Sequence, residues 1–188
     1  MMSARPARGE QSQVKFSLFR GCLSCNKINL LRTCPPDLLQ DALARFDEHF
    51  QNMVAEILRV SCLSEDQWEQ ASLPVKSAGL GVNQTKVIAG SAYVGSCALT
   101  CDLVAALLGV DSYEPTGVAE LLSLHEAATG TSHDFGSLST TPKVQQLLSS
   151  ERHWASYTQL RIKSSVRSRN LMPCLMPVTG SLLPRFQD

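Results

Sequence analysis

Apolar residues recur in alternating steps of four and three from Leu39 through Leu43, Phe46, Phe50, Met53 and Ile57 to Val60. That spacing lays one stripe along a helix. It predicts a long amphipathic helix over about 35–60, begun by Pro35 and Pro36, because a first helical turn does not need proline's missing N–H. Leu38, Ala42, Val54 and Leu58 widen the stripe beyond a coiled-coil seam, and Asp41, Arg45, Asp47, Glu48 and Glu56 are expected on the wet face. Upstream, Val14, Leu18, Cys22, Cys25, Ile28 and Arg32 keep helical spacing over 14–32, with a break expected near 24–26.

Downstream the pattern shortens. Ser64 and Gln67 form a capping box, Glu65 and Asp66 complement the helix dipole, Trp68 and Ala71 point inward, and Pro74 ends the helix by biasing Leu73 away from helical angles. Gly79 and Gly81 turn the chain, and Asn83 reads as the cap of a helix over about 84–99. Ala89, Gly90, Ser91, Ala92, Gly95, Ser96 and Ala98 make that helix narrow enough for close packing. No charge occurs from Val87 to Cys101, but the Gly and Ser content and Asp102 favour burial in protein over a membrane span. Helices are also expected over about 118–128 and 143–162, with a Gly/Ser/Thr-rich loop between them and a tail broken by Pro173, Pro177, Gly180 and Pro184.

These elements predict a mostly α fold with little or no strand, an irregular helical bundle built on the helices at about 35–60 and 84–99. Residues 1–11 are expected to be a disordered basic N-terminus, 12–128 the helical domain, and 129–188 a loop, one helix and a loosely ordered basic tail.

Composition agrees with a globular helical chain: of 188 residues, 44% are hydrophobic, 18% charged and 6% aromatic. Net charge is zero but unevenly placed, since residues 1–33 carry six Lys or Arg against Glu10 alone, and residues 151–188 carry six against Glu151 and Asp188. The middle is therefore acidic. Seven cysteines, an odd number, follow a start without an apolar run, so reduced thiols in an intracellular protein of nucleus or cytoplasm are expected.

Chemistry-bearing patterns are sparse. Cys22-x-x-Cys25 lacks a second pair, since Cys97-x-x-x-Cys101 has the wrong spacing for a zinc ribbon and sits on an apolar helix where cysteines act as small hydrophobes, so no metal and no cofactor is expected. Cys34 and Cys62 have no local pattern joining them to His49, His125, His133 or His153, and Gly79-Leu80-Gly81 lacks the lysine and strand of a phosphate loop. Catalysis is not expected.

Several short blocks occur in a fixed order: LLRTCPP (Leu30 to Pro36), Phe46-Asp47, LSEDQW, ASLPV, GLG and AYVGS (Ala92 to Ser96). Over about 16–110, roughly half the chain, this order resembles the segment beyond the palm in non-LTR retrotransposon reverse transcriptases. The resemblance implies a thumb- or connection-like helical region that supports primer and template. No Y/F-x-D-D box is present to hold the polymerase metal ions, so it implies a retroelement-derived fragment without catalysis. Pro35, Pro36, Trp68, Leu73, Pro74, Gly79 and Gly81 carry the structural motif, and the flanking Lys27, Arg32, Lys76 and Lys86 are the candidate contacts to RNA or DNA phosphates. Ala78 and Asn83 depart from the family, where glycine and arginine are usual. The competing reading is a protein-interaction module whose stripe through Phe46, Phe50 and Ile57 meets a partner helix or the missing polymerase domains. Neither reading needs a membrane or a small-molecule substrate.

Overall fold

The computed structural model describes residues 8–166, and every regular element among them is helical. Helix α1 (Arg8–Leu18) passes through one π turn, Phe19–Leu23, into α2 (Ser24–Thr33). The irregularity thus lies just before the expected break, and helix begins inside the segment expected to be disordered. The turn brings Phe19 onto Phe50, with ring centroids 4.1 Å apart. Residues 1–7 and the tail from 167 lie outside the described residues.

Pro35 stops α2, and the predicted long helix starts as a 3-10 turn, Pro36–Leu39, before α3 (Gln40–Leu58). Leu43, Phe50, Val54 and Ala55 are buried along it. Asp47 is buried too, which corrects its placement on the wet face; Asp41, Arg45, Glu48 and Glu56 are exposed. Helix α4 (Glu65–Ser72) opens on the expected capping box, in which Gln67 N donates to Ser64 Oγ at 3.3 Å and Ser64 N donates to Gln67 Oε1 at 2.9 Å. After Pro74 the chain folds back on the end of α4: Leu80 N donates to Ala71 O at 3.0 Å and Gly81 N to Leu73 O at 2.8 Å. Gly79 lies so close to the backbone of Leu73 that a Cβ would collide with it. Ala78 holds a left-handed conformation (φ 59°), where a methyl group costs about 1 kcal/mol.

Helix α5 (Thr85–Leu108) is central and extends nine residues past its expected end, because nothing breaks it before Gly109 takes the left-handed C-cap. Asn83 is not its cap. The cap residue is Gln84, without a side-chain bond, and Asp47 of α3 supplies the acceptor instead. Its Oδ1 accepts from Thr85 N at 2.7 Å and Thr85 Oγ1 at 2.6 Å, and its Oδ2 from Lys86 N at 3.0 Å. Three donors at a positive helix end thus converge on one carboxylate.

Helices α6 (Val118–Thr129), α7 (Phe135–Ser139) and α8 (Val144–Val166) complete the fold. The short α7 lies in the segment expected to be loop; Asp134 caps it and Leu138 is buried. Far from standing apart, α8 packs on α4, α5 and α6, and Gly95 of α5 meets the Gln145 backbone so closely that a Cβ would lie 2.9 Å from its nitrogen. Among the described residues, most buried apolar side chains fall into three clusters. One joins Phe19, Phe50, Val54, Trp68, Ala71 and Val82; the second Leu31, Leu43, Ile88, Ala89 and Ala92; the third Val94 and Ala98 with Val118, Leu122, Leu138, Val144 and Leu148.

Asp47→Ala should cost about 3 kcal/mol, since three donors would lose a charged acceptor, and Thr85→Val about 1 kcal/mol. Urea unfolding followed by far-UV circular dichroism measures both. A loss below about 1 kcal/mol for Asp47→Ala would mean that water caps α5 equally well.

Candidate functional site

Four basic residues were expected to contact phosphates. Lys27 is 8% exposed, its ammonium lies 4.4 Å from the Phe50 ring centroid, and it donates to the Asn83 carbonyl oxygen. It works inside the fold. Arg32 donates from Nε (2.9 Å) and Nη2 (2.6 Å) to Gln145 Oε1, tying α2 to α8. Lys76 and Lys86 are exposed; Lys86 borders a groove with His153 of α8, and burial, helped by the charge of Lys76, pushes the His153 imidazole down. Of the structural motif, Trp68 and Leu73 are core, and Pro35, Pro36, Pro74, Gly79 and Gly81 shape the chain around them.

The α3 stripe is not available to a partner along its whole length. Phe50 and Val54 are buried and Ile57 packs against their cluster, which leaves Phe46 and Met53 partly open. The larger apolar surface lies elsewhere. On the far half of α5, Leu99, Leu103 and Leu107 are 85%, 62% and 77% exposed, and their four-residue spacing puts them on one face. Only Cys101 and Ala105 remain buried along those turns, so this end of the central helix projects past its neighbours. Burial pushes the Cys101 and Cys97 thiols up, holding both in the neutral form.

Beside this face lies a cleft of about 500 Å³ between the end of α5, α6 and α7. Asp102, Asp111, Glu114, Glu126 and Asp134 line it, with no Lys or Arg among the described lining residues. His133 borders it as well. Behind His133, three residues from separate parts of the chain converge: His125 of α6, His133 of the following loop and Glu151 of α8. Both imidazole Nε2 atoms lie 2.8 Å from the same oxygen, Glu151 Oε2. His125 is buried and the other two are mostly covered. Burial alone would raise the Glu151 carboxyl, but the hydrogen bonds and charge of His133 and His125 outweigh it and hold the group below the ordinary carboxylate range.

No family model, no curated protein and no solved structure matches this chain. The likeness to reverse transcriptases therefore stands on the sequence blocks alone. The His–His–Glu convergence escaped sequence reading because eight and eighteen residues separate its members. Its local trace was only two histidines flanking a Gly/Ser/Thr segment.

The depressed Glu151 carboxyl contributes stability that is present above the unfolded carboxylate value of about 4.3 and is lost as pH falls through the folded value. Stability measured by urea unfolding should therefore drop on acidification below about pH 4.3, and Glu151→Gln should flatten that limb. An unchanged acid limb in the variant would assign the loss to other carboxylates.

Proposed function

We propose that this chain is a non-catalytic helical scaffold that docks an amphipathic helix of a partner protein on the leucine face of α5. The observation that carries this reading is the exposure of Leu99, Leu103 and Leu107 on one face of an otherwise central helix. A soluble monomer seldom leaves such a patch open without use. The acidic cleft alongside, with Asp102 and Asp111 at its edge, selects a helix that carries basic residues beside its apolar stripe. This keeps the interaction-module reading and moves its surface from α3 to α5.

A second reading follows from the retroelement likeness, in which the chain is a thumb-like segment supporting a primer–template. What favours it is the exposure of Lys76 and Lys86 on either side of the Gly79–Gly81 turn, near one groove on α8. Two such cations would neutralise two backbone phosphates.

The first reading is tested with a synthetic helix of leucines at four-residue spacing flanked by lysines, titrated by fluorescence anisotropy. Leu103→Glu with Leu107→Glu should weaken binding at least ~10-fold while leaving the unfolding midpoint unchanged, because both side chains are exposed. Equal binding by the double variant rejects this face, and a concentration-dependent dimer abolished by the variant would replace the partner helix with a second copy. For the second reading, affinity for a labelled primer–template duplex should fall with salt, and Lys76→Ala with Lys86→Ala should reduce the log–log slope by about 2. A duplex that does not bind at low salt removes it.

A further inference from the structure

We propose that His125, His133 and Glu151 form a mononuclear site for a zinc-like divalent cation, with a fourth position open toward the acidic cleft. The donor set is two imidazole nitrogens and one carboxylate oxygen, a combination suited to zinc, cobalt and nickel rather than to calcium or magnesium, which prefer oxygen alone. All three ligand atoms lie within 4.8 Å of one another. The two nitrogen-to-oxygen separations are 2.8 Å, and tetrahedral zinc ligands stand about 3.3 Å apart. Opening each pair by about half an ångström makes room for an ion.

Position favours the same conclusion. His125 is set by α6 and Glu151 by α8, two elements already packed together, so two ligands are held before an ion arrives. The third, His133, sits on the connecting loop and can adjust. Three protein ligands leave one coordination position, and His133, one of the three, also lines the acidic cleft, from which water or a carboxylate could complete the shell. The five carboxylates there give the entrance a negative field that concentrates cations.

The test uses the full chain, stripped with a chelator and titrated with cobalt(II) alone, followed by zinc calorimetry. One cobalt per chain should bind with the visible bands of a four- or five-coordinate ion and without a thiolate charge-transfer band, which separates this site from the free cysteines. His133→Ala and Glu151→Gln should each weaken zinc by at least about 100-fold, while His49→Ala and His153→Ala should not. His133 and Glu151 are less buried than His125, so these variants, checked by far-UV circular dichroism, keep the test independent of folding. A thiolate band, binding that survives both variants, or no binding by the folded chain would each overturn the site.

Discussion

The carboxylate of Asp47 fixes where α5 begins, and the position of α5 fixes nearly everything else. A helix start exposes backbone N–H groups that need acceptors, and here the acceptor comes from a residue 38 positions earlier. The bond therefore does two jobs at once, ending the exposure of α5 and locking its register against α3. Once that register is set, Ala89 and Ala92 face Leu31 and Leu43, and Gly95 faces the first turn of α8. A shift of one residue along α5 would put larger side chains at that contact and break the close approach.

Local rules made the helical class, the α4 capping box and the break at Pro35 legible, because each rests on residues within a few positions of one another. The same rules misplaced Asp47, whose acidic side chain on an amphipathic helix looks solvated until a distant helix start is brought to it. They ended α5 too early, since its small-residue half is packed and its leucine half is open, a difference set by neighbours and not by composition. Lys27 misled for a related reason: its charge is held between the Phe50 ring and a carbonyl of the segment after Gly81. The α7 turn went unseen because one buried leucine among serines and threonines carries no periodicity.

One acidic cleft is lined by Asp102, next to Leu103 on α5, and by His133 of the His–His–Glu cluster. An ion held behind His133 would reduce the negative field that a basic helix meets at the leucine face, so the two ligands would compete electrostatically while touching different residues. Linkage makes that opposition reciprocal.

The three core clusters divide cleanly along the chain. Every member of the first two lies at or before Ala92, and every member of the third lies at or after Val94. During synthesis, the earlier clusters can therefore close, with α5 already capped by Asp47, before any of α6, α7 or α8 has been made. The far half of α5 must then wait, apolar and uncovered, for the last third of the described chain to arrive. Ala98 is then covered by the third cluster, together with Val94 a turn before it, whereas Leu99, Leu103 and Leu107 stay exposed in the finished fold.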